Sequence, residues 1–335
     1  MFSDQNLPSK STTLVALAPM MQRTDRHFRF MMRLLSPDLR LYTEMISAQA
    51  LIHGDAGKIL SFNSLEHPIA LQLGGSDPLK LAEAAKIGAD LGYDEINLNI
   101  GCPSDRVSSG GFGAYLMAQP HQVAECVAAI KSKVSLPVSV KTRCGIDDQD
   151  SHEFVSSFIE TVSKSGCEFF ILHARKAILS GLSPKENRNI PPLRYPFVYS
   201  LAKEFPHLRT IINGGIRELE SIHQHMQHVD GVMIGRQAYK DPYWMAQLQT
   251  HFINDAIGRK WSPPSRAEVV QGMAIYAQNE LSQGVEIKQI IRHMLGLYSG
   301  QSGARKWRRF LTEKSQLQGQ DENLLLDSLN FVERS

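Results

Sequence analysis

The sequence predicts an α/β fold, a (β/α)8 TIM barrel followed by a small C-terminal helical domain. Three observations predict it. Eight apolar, β-rich runs alternate with amphipathic stretches across roughly 240 residues, close to the ~250 typical of such barrels. Several of those runs are almost continuous Val, Ile and Leu, as strands covered on both faces should be. After Trp261-Ser262-Pro263-Pro264 only helical periodicity remains. Doubly wound sheets also alternate, but eight units without a nucleotide-fingerprint start favour the barrel.

In chain order the strand candidates are 13–19, 41–46, 68–75, 95–101, 137–143, 168–175, 209–215 and 231–236. Segment 77–92 opens on Asp77 with Pro78 in the first turn and closes on Gly92, which are helix start and stop signals. Segments 120–134, 151–166 and 218–229 follow the same logic. The barrel is expected to occupy 1–254, a linker about 255–264, and the helical domain 265–335.

Composition sets the class. The chain has 335 residues, 42% hydrophobic and 21% charged, which is ordinary for a soluble globular protein. No apolar run approaches the ~20 residues that span a bilayer, and the N-terminal stretch is polar, so a cytoplasmic protein is expected. Cys102, Cys126, Cys144 and Cys167 are widely spaced, which argues against a disulfide framework or a zinc knuckle. His223, His225 and His228 fall on a helix away from the strand ends, where a solvated face is expected rather than a metal site. Charge is uneven: residues 259–314 hold ten Lys/Arg against four Asp/Glu, while the body before them is near neutral. A basic segment on a neutral body fits either a polyanion contact or a solvated helical face.

In such barrels the active site lies at the C-terminal strand ends. Here those ends carry Pro19, Met20 and Met21, then Gln72, then Asn97, Asn99 and Cys102, then Lys141 and Arg143, then His173, Asn213-Gly214-Gly215 and Gly235-Arg236. Polar side chains inside apolar strands are costly to bury unless partnered, so a row of them marks a functional rim. The last two groups fit a barrel phosphate site: glycines let backbone N–H groups approach an anion, and Arg236 adds a forked cation. With Gln72, Lys141 and His173 across the mouth, a flat phosphorylated cofactor is expected. Lys141 would place charge near its ring; a Schiff-base lysine is the alternative. The glycine-rich stretch 109–114 does not match a dinucleotide grip and reads as a mobile loop. For Cys102, packing, nucleophilic and acid roles remain open on the residues alone. Cys126, Cys144 and Cys167 read as packing residues.

The motifs APMM (18–21), LNIGCPS (98–104), KTR (141–143), HAR (173–175), NGGI (213–216) and MIGR (233–236) resemble the tRNA-dihydrouridine synthases. LYTEM (41–45), HPIALQLGGSDP (67–78), GLSPKENR (181–188) and IRHMLGLYSGQSGARKWRRFL (291–311) are similar to the bacterial A subfamily, which acts at positions 20 and 20a of the tRNA D-loop. The resemblance implies a flavin-binding barrel with a helical tRNA-binding domain. By motif it assigns FMN contacts to Pro19, Met20, Met21, Gln72, Lys141, His173, Asn213, Gly214, Gly215, Gly235 and Arg236. It assigns the proton donor to Cys102 and tRNA contacts to Asn99, Lys185 and Arg188, with Arg305 and Arg308 chosen in the helical domain.

The implied reaction reduces the C5=C6 bond of uridine. NADPH reduces FMN, hydride passes to C6, and Cys102 protonates C5. A thiol without activating neighbours stays mostly protonated at neutral pH and suits an acid. The target base must be flipped out of the folded tRNA, and Asn97 and Asn99 are expected to read its edge. A monomer without an obligate protein partner or membrane contact is expected. The nearest rival is an FMN reductase of free pyrimidines, like dihydroorotate dehydrogenase; an idle tRNA-binding protein and a Lys141 aldolase are more distant.

Overall fold

The computed structural model describes residues 14–104, 111–317, 319 and 321–332. A single parallel sheet of nine strands runs in the order β1 (Leu14–Leu17), β9 (Gly231–Ile234), β8 (Arg209–Asn213), β7 (Phe169–His173), β6 (Val138–Arg143), β5 (Glu95–Asn99), β4 (Ile69–Gly74) and β2 (Leu41–Tyr42), with β3 (Ile46–Ser47) also on β4. Arg40, just before β2, closes the ring: its N–H donates to Val15 O at 3.1 Å and its carbonyl accepts from Leu17 N–H at 2.9 Å. The expected barrel is present, with one strand split in two. Thr43 causes the split, because its hydroxyl rather than a backbone carbonyl accepts the Gln72 N–H at 3.0 Å.

Helix starts follow the local chemistry. Asp77 accepts from the Leu79 and Lys80 N–H groups to open Pro78–Asp90, and Ser151 accepts from Phe154 N–H to open His152–Ser163. Pro120 starts Pro120–Lys133 at a position where its missing N–H costs nothing. The barrel interior has two halves. Leu14, Ala16, Ala18, Tyr42, Ala70, Phe169, Ile171, Ile211 and Met233 form an apolar cluster. On β4, β5 and β6 the buried residues include Gln72, Glu95, Asn97 and Ser139.

The chain divides into two compact units, and the division differs from the expected one. The first holds 1–21, 40–62 and 67–234; the second holds 22–39, 63–66 and 235–335. Side-chain pairing explains why early segments join the second unit. Arg26 pairs with Glu280 at 2.5 Å, His27 Nδ1 meets Tyr276 OH at 2.8 Å, and Phe30 stacks on Tyr276 at 4.1 Å. Buried Arg29 pairs with buried Glu66 at 2.6 Å, and Gln249 bonds both Ser36 and Asp38. Residues 254–257, at the edge of the expected linker, form a helical turn. Beyond it, Ser265 and Glu268 make a reciprocal capping box that opens Arg266–Ser282. Helices Ile287–Met294, Ala304–Lys314 and Asn323–Ser328 follow, and fully buried Trp307 donates to Ser328 Oγ at 2.8 Å.

Candidate active site

The first unit brings most of the expected residues to the C-terminal ends of parallel strands. Pro19 and Met20 follow β1 half-buried, and Met21 is exposed. Gln72 lies on β4, Asn99 ends β5, Lys141 lies on β6, His173 ends β7 and Asn213 ends β8. Register places Gln72 beside Asn97, Asn97 beside Ser139, Asn99 beside Lys141, and His173 beside Asn213.

Cys102 follows β5 in a tight loop and is half-buried. Its position is set from below. Asn99 Oδ1 accepts the Gly101 N–H at 3.1 Å and the Cys102 N–H at 3.0 Å. The Cys102 carbonyl accepts from Ala114 N–H at 3.0 Å, which ties the loop to the 3-10 turn Gly113–Ala118. Of the stretch 109–114 expected to be a mobile loop, residues 109 and 110 lie outside the described residues. The other thiols differ: Cys126, Cys144 and Cys167 are fully buried, and burial pushes each up to about 12. They are packing residues, as expected.

Lys141 is half-buried, and burial followed by the Arg143 guanidinium lowers its ammonium to about 7. Among the described residues no hydrogen bond or ion pair holds that ammonium. Arg143 is more than a strand-end cation. Its Nε donates to Gly101 O at 2.7 Å, and its Nη1 donates to Lys176 O at 3.1 Å and Asn187 O at 3.2 Å. One guanidinium thus clamps the thiol loop to the segment that carries Lys185 and Arg188. Asn187, fully buried, folds that segment by donating to Ile178 O at 2.8 Å and Leu182 O at 3.1 Å. Lys185 and Arg188 themselves are exposed.

After β8 the backbone is shaped for close approach. Gly214 and Gly215 have φ of +111° and +75°. A Cβ on Gly214 would meet His173 Nε2 at 3.1 Å, and one on Gly215 would meet Leu193 Cδ1 at 2.5 Å and the Tyr195 hydroxyl at 2.7 Å. Only glycine suits both positions. Asn213 turns inward, its Nδ2 donating to Met233 O at 2.8 Å. Gly235 and Arg236 belong to the second unit, where Gly235 precedes the helix Arg236–Lys240 and Arg236 is exposed. Arg305 and Arg308 are exposed on Ala304–Lys314 in the same unit.

Two expectations change. Asn97 has no exposed surface, lying one layer below Asn99 with its amide bonded to Gln72 at 2.6 Å and Ser139 at 2.7 Å, so a base cannot reach it. His225 is not solvated: it is buried, bonds Tyr199 OH at 2.7 Å through Nδ1 and packs edge-on against Tyr195. The spacing of helical apolar residues around it was the available signal.

The residues fit a flavin. Gly214 and Gly215 let the turn after β8 pack directly against His173, Leu193 and Tyr195 at the barrel rim, and Lys141 offers an unengaged amine on the strand beside that of His173. A family model described as dihydrouridine synthase matches residues 16–333. The tRNA-dihydrouridine(20/20a) synthase of Shigella flexneri is 54% identical, covering 95% of this chain and 92% of that one. That of Escherichia coli strain K12 is 54% identical with 95% and 91% covered, and that of Vibrio cholerae 53% with 91% and 92%. Among solved structures, an old yellow enzyme homologue from Zymomonas mobilis matches 70% of this chain and 87% of its own, with a TM-score of 0.51 at 12% identity, a likeness of fold alone. A model match across nearly the whole chain, relatives identical at more than half of the aligned positions, and a barrel whose strand ends carry the motif residues together make this chain a member of the dihydrouridine synthase family.

Proposed function

We propose that the protein reduces uridine to 5,6-dihydrouridine in the D-loop of tRNA, at positions 20 and 20a, with Cys102 as the acid that protonates C5. The observation that carries this reading is the half-buried thiol at the end of β5, pinned through its own N–H by Asn99, with Lys141 on the adjacent strand β6 and His173 and Asn213 at the ends of the next two strands. FMN, when bound and reduced by NADPH, would supply the hydride for C6. Pro19, Met20, Met21, Gln72, Lys141, His173, Asn213, Gly214, Gly215, Gly235 and Arg236 would hold it.

The chain's own residues do the rest. Asn99 spends its oxygen on the loop and one amide hydrogen on Gln72, which leaves the second amide hydrogen for a carbonyl of the base. Arg143 keeps the thiol loop and the Lys185–Arg188 segment in one arrangement, so backbone contacts from Lys185 and Arg188 are made where the thiol is placed. Arg305 and Arg308 add phosphate contacts, which give orientation without sequence reading. Flipping the uridine out costs a few kcal/mol, repaid by those contacts.

The test is Cys102→Ala. The variant should keep its yellow flavin and its reduction by NADPH, while dihydrouridine formed in unmodified tRNA, counted by mass spectrometry, falls about a hundredfold or more. Full activity would remove the acid role. A colourless protein that takes up no FMN would remove the cofactor, and turnover of free pyrimidines but not of tRNA would favour the free-pyrimidine reductase.

A further inference from the structure

A continuous hydrogen-bonded chain crosses the polar half of the barrel and ends on the thiol loop. It starts at Glu95, fully buried, whose Oε2 accepts from Arg40 Nη1 at 2.9 Å. Glu95 Oε1 accepts from Tyr42 OH at 2.8 Å and from Ser139 Oγ at 2.5 Å. A serine has one hydroxyl hydrogen. With it spent on Glu95, Ser139 Oγ can only accept, and it does so from Asn97 Nδ2 at 2.7 Å. Asn97 Oδ1 is thereby turned to Gln72, whose Nε2 donates at 2.6 Å. Gln72 Oε1 in turn accepts from Asn99 Nδ2 at 2.8 Å. Asn99 Oδ1 is left facing the loop, where it accepts from Gly101 and Cys102.

The direction of every bond follows from the first. A paired carboxylate accepts and does not donate, so Ser139 must donate, and each amide downstream has one orientation that avoids setting like atoms face to face. In a buried site a wrong orientation costs an unmade hydrogen bond, about 1–3 kcal/mol. Register holds the links in one layer: Gln72, Asn97 and Ser139 are lateral neighbours on β4, β5 and β6.

We propose that Ser139 and Asn97 are positioning residues for the reduction: they transmit the acceptor character of the Arg40–Glu95 pair to Asn99, which then holds the Cys102 loop with its oxygen and presents an amide hydrogen to the base. The proposal rests on the reading of Cys102 as the acid. Tyr42 supplies the control. Its hydroxyl bonds the same Glu95 oxygen as Ser139 but lies off the path to the thiol. If the network only stabilises the fold, losing either hydroxyl has the same consequence.

The experiment compares Ser139→Ala, Tyr42→Phe and Cys102→Ala in the flavin-loaded enzyme with NADPH and a tRNA transcript bearing the D-loop uridines. Ser139→Ala should lower kcat about tenfold or more with KM for tRNA within about twofold, since small misplacement of a reacting group is costly and tRNA binding is untouched. Its Cys102 should also be alkylated faster by iodoacetamide, because the loop has lost its fixed acceptor. Tyr42→Phe should lose comparable thermal stability while keeping kcat. Should Ser139→Ala not fold, Ser139→Cys makes the same comparison at nearly the same volume. Equal kcat in Ser139→Ala and Tyr42→Phe, with Cys102 alkylation unchanged, overturns the proposal while an inactive Cys102→Ala leaves the acid reading standing. A fully active Cys102→Ala overturns the acid reading first, and the proposal with it.

Discussion

Raising the pH from 7 to 9 should stabilise the flavin-free protein relative to its Lys141→Met variant. Burial and the Arg143 guanidinium lower the Lys141 ammonium from 10.5 to about 7. The unfolded chain keeps that proton to about 10.4. Below pH 7 both states carry it, and the folded state bears the full cost of a charge in a poor site. Between 7 and about 10.4 the unfolded state binds more protons, so stability rises with pH. A fully displaced proton is worth about 1.4 kcal/mol per pH unit. Lys141 is half-buried, so screening reduces this to about 1 kcal/mol per unit, or about 2 kcal/mol over the two units. Methionine keeps the length and cannot titrate, and the difference between the two proteins cancels the titrating groups that do not interact with Lys141. Urea denaturation at pH 6, 7, 8 and 9 at constant ionic strength reads it directly. A difference that stays flat from pH 7 to 9 would refute the reasoning, and so would one that shrinks.

Other consequences follow from the same geometry. Gly214→Ala should cost about 1–3 kcal/mol for a side chain at φ +111° and should lower flavin content, since its Cβ would press on His173; absorbance of the purified protein checks it. Arg40→Leu removes the ionic partner of the buried Glu95 carboxylate and should cost about 3–5 kcal/mol in chemical denaturation. Arg305→Ala with Arg308→Ala should reduce the slope of log affinity for tRNA against log salt by roughly one to two, measured by filter binding from low to moderate salt. An unchanged slope would put the phosphate contacts elsewhere.

Local signals were legible where local chemistry decides. Asp77, Ser151 and Pro120 start helices in the structure for the reasons visible in the sequence. The apolar runs that became β1 and β4 to β9 are almost wholly buried, as strands covered on both faces are. What stayed hidden depends on register between distant segments. Gln72 and Asn97 are 25 residues apart and Asn97 and Ser139 are 42 apart, and no local pattern says that they will meet side by side. The same holds for Arg143, whose partners are three backbone carbonyls supplied by other loops. It holds again for the second unit, which recruits 22–39 through Arg26, His27 and Phe30, a pairing that hydrophobic periodicity does not encode.

Strand β5 shows why fold and site here impose one constraint. Side chains alternate along a strand, so Glu95, Asn97 and Asn99 share the face opposite Ile96 and Leu98. A one-residue slip would turn all three polar groups outward and two apolar ones inward. Such a slip would lose the Gln72 and Ser139 bonds and leave Arg40 buried without its carboxylate, a heavier penalty than any single lost contact. Barrel interiors are normally filled by bulky branched residues. In this one, Phe169, Ile171, Ile211 and Met233 fill the opposite half, and the hydrophobic contribution of that half leaves β4 to β6 able to carry directional bonds instead. The layer that fixes the register of the barrel is therefore the layer that aims the thiol, and a substitution that loosens one should be felt in the other.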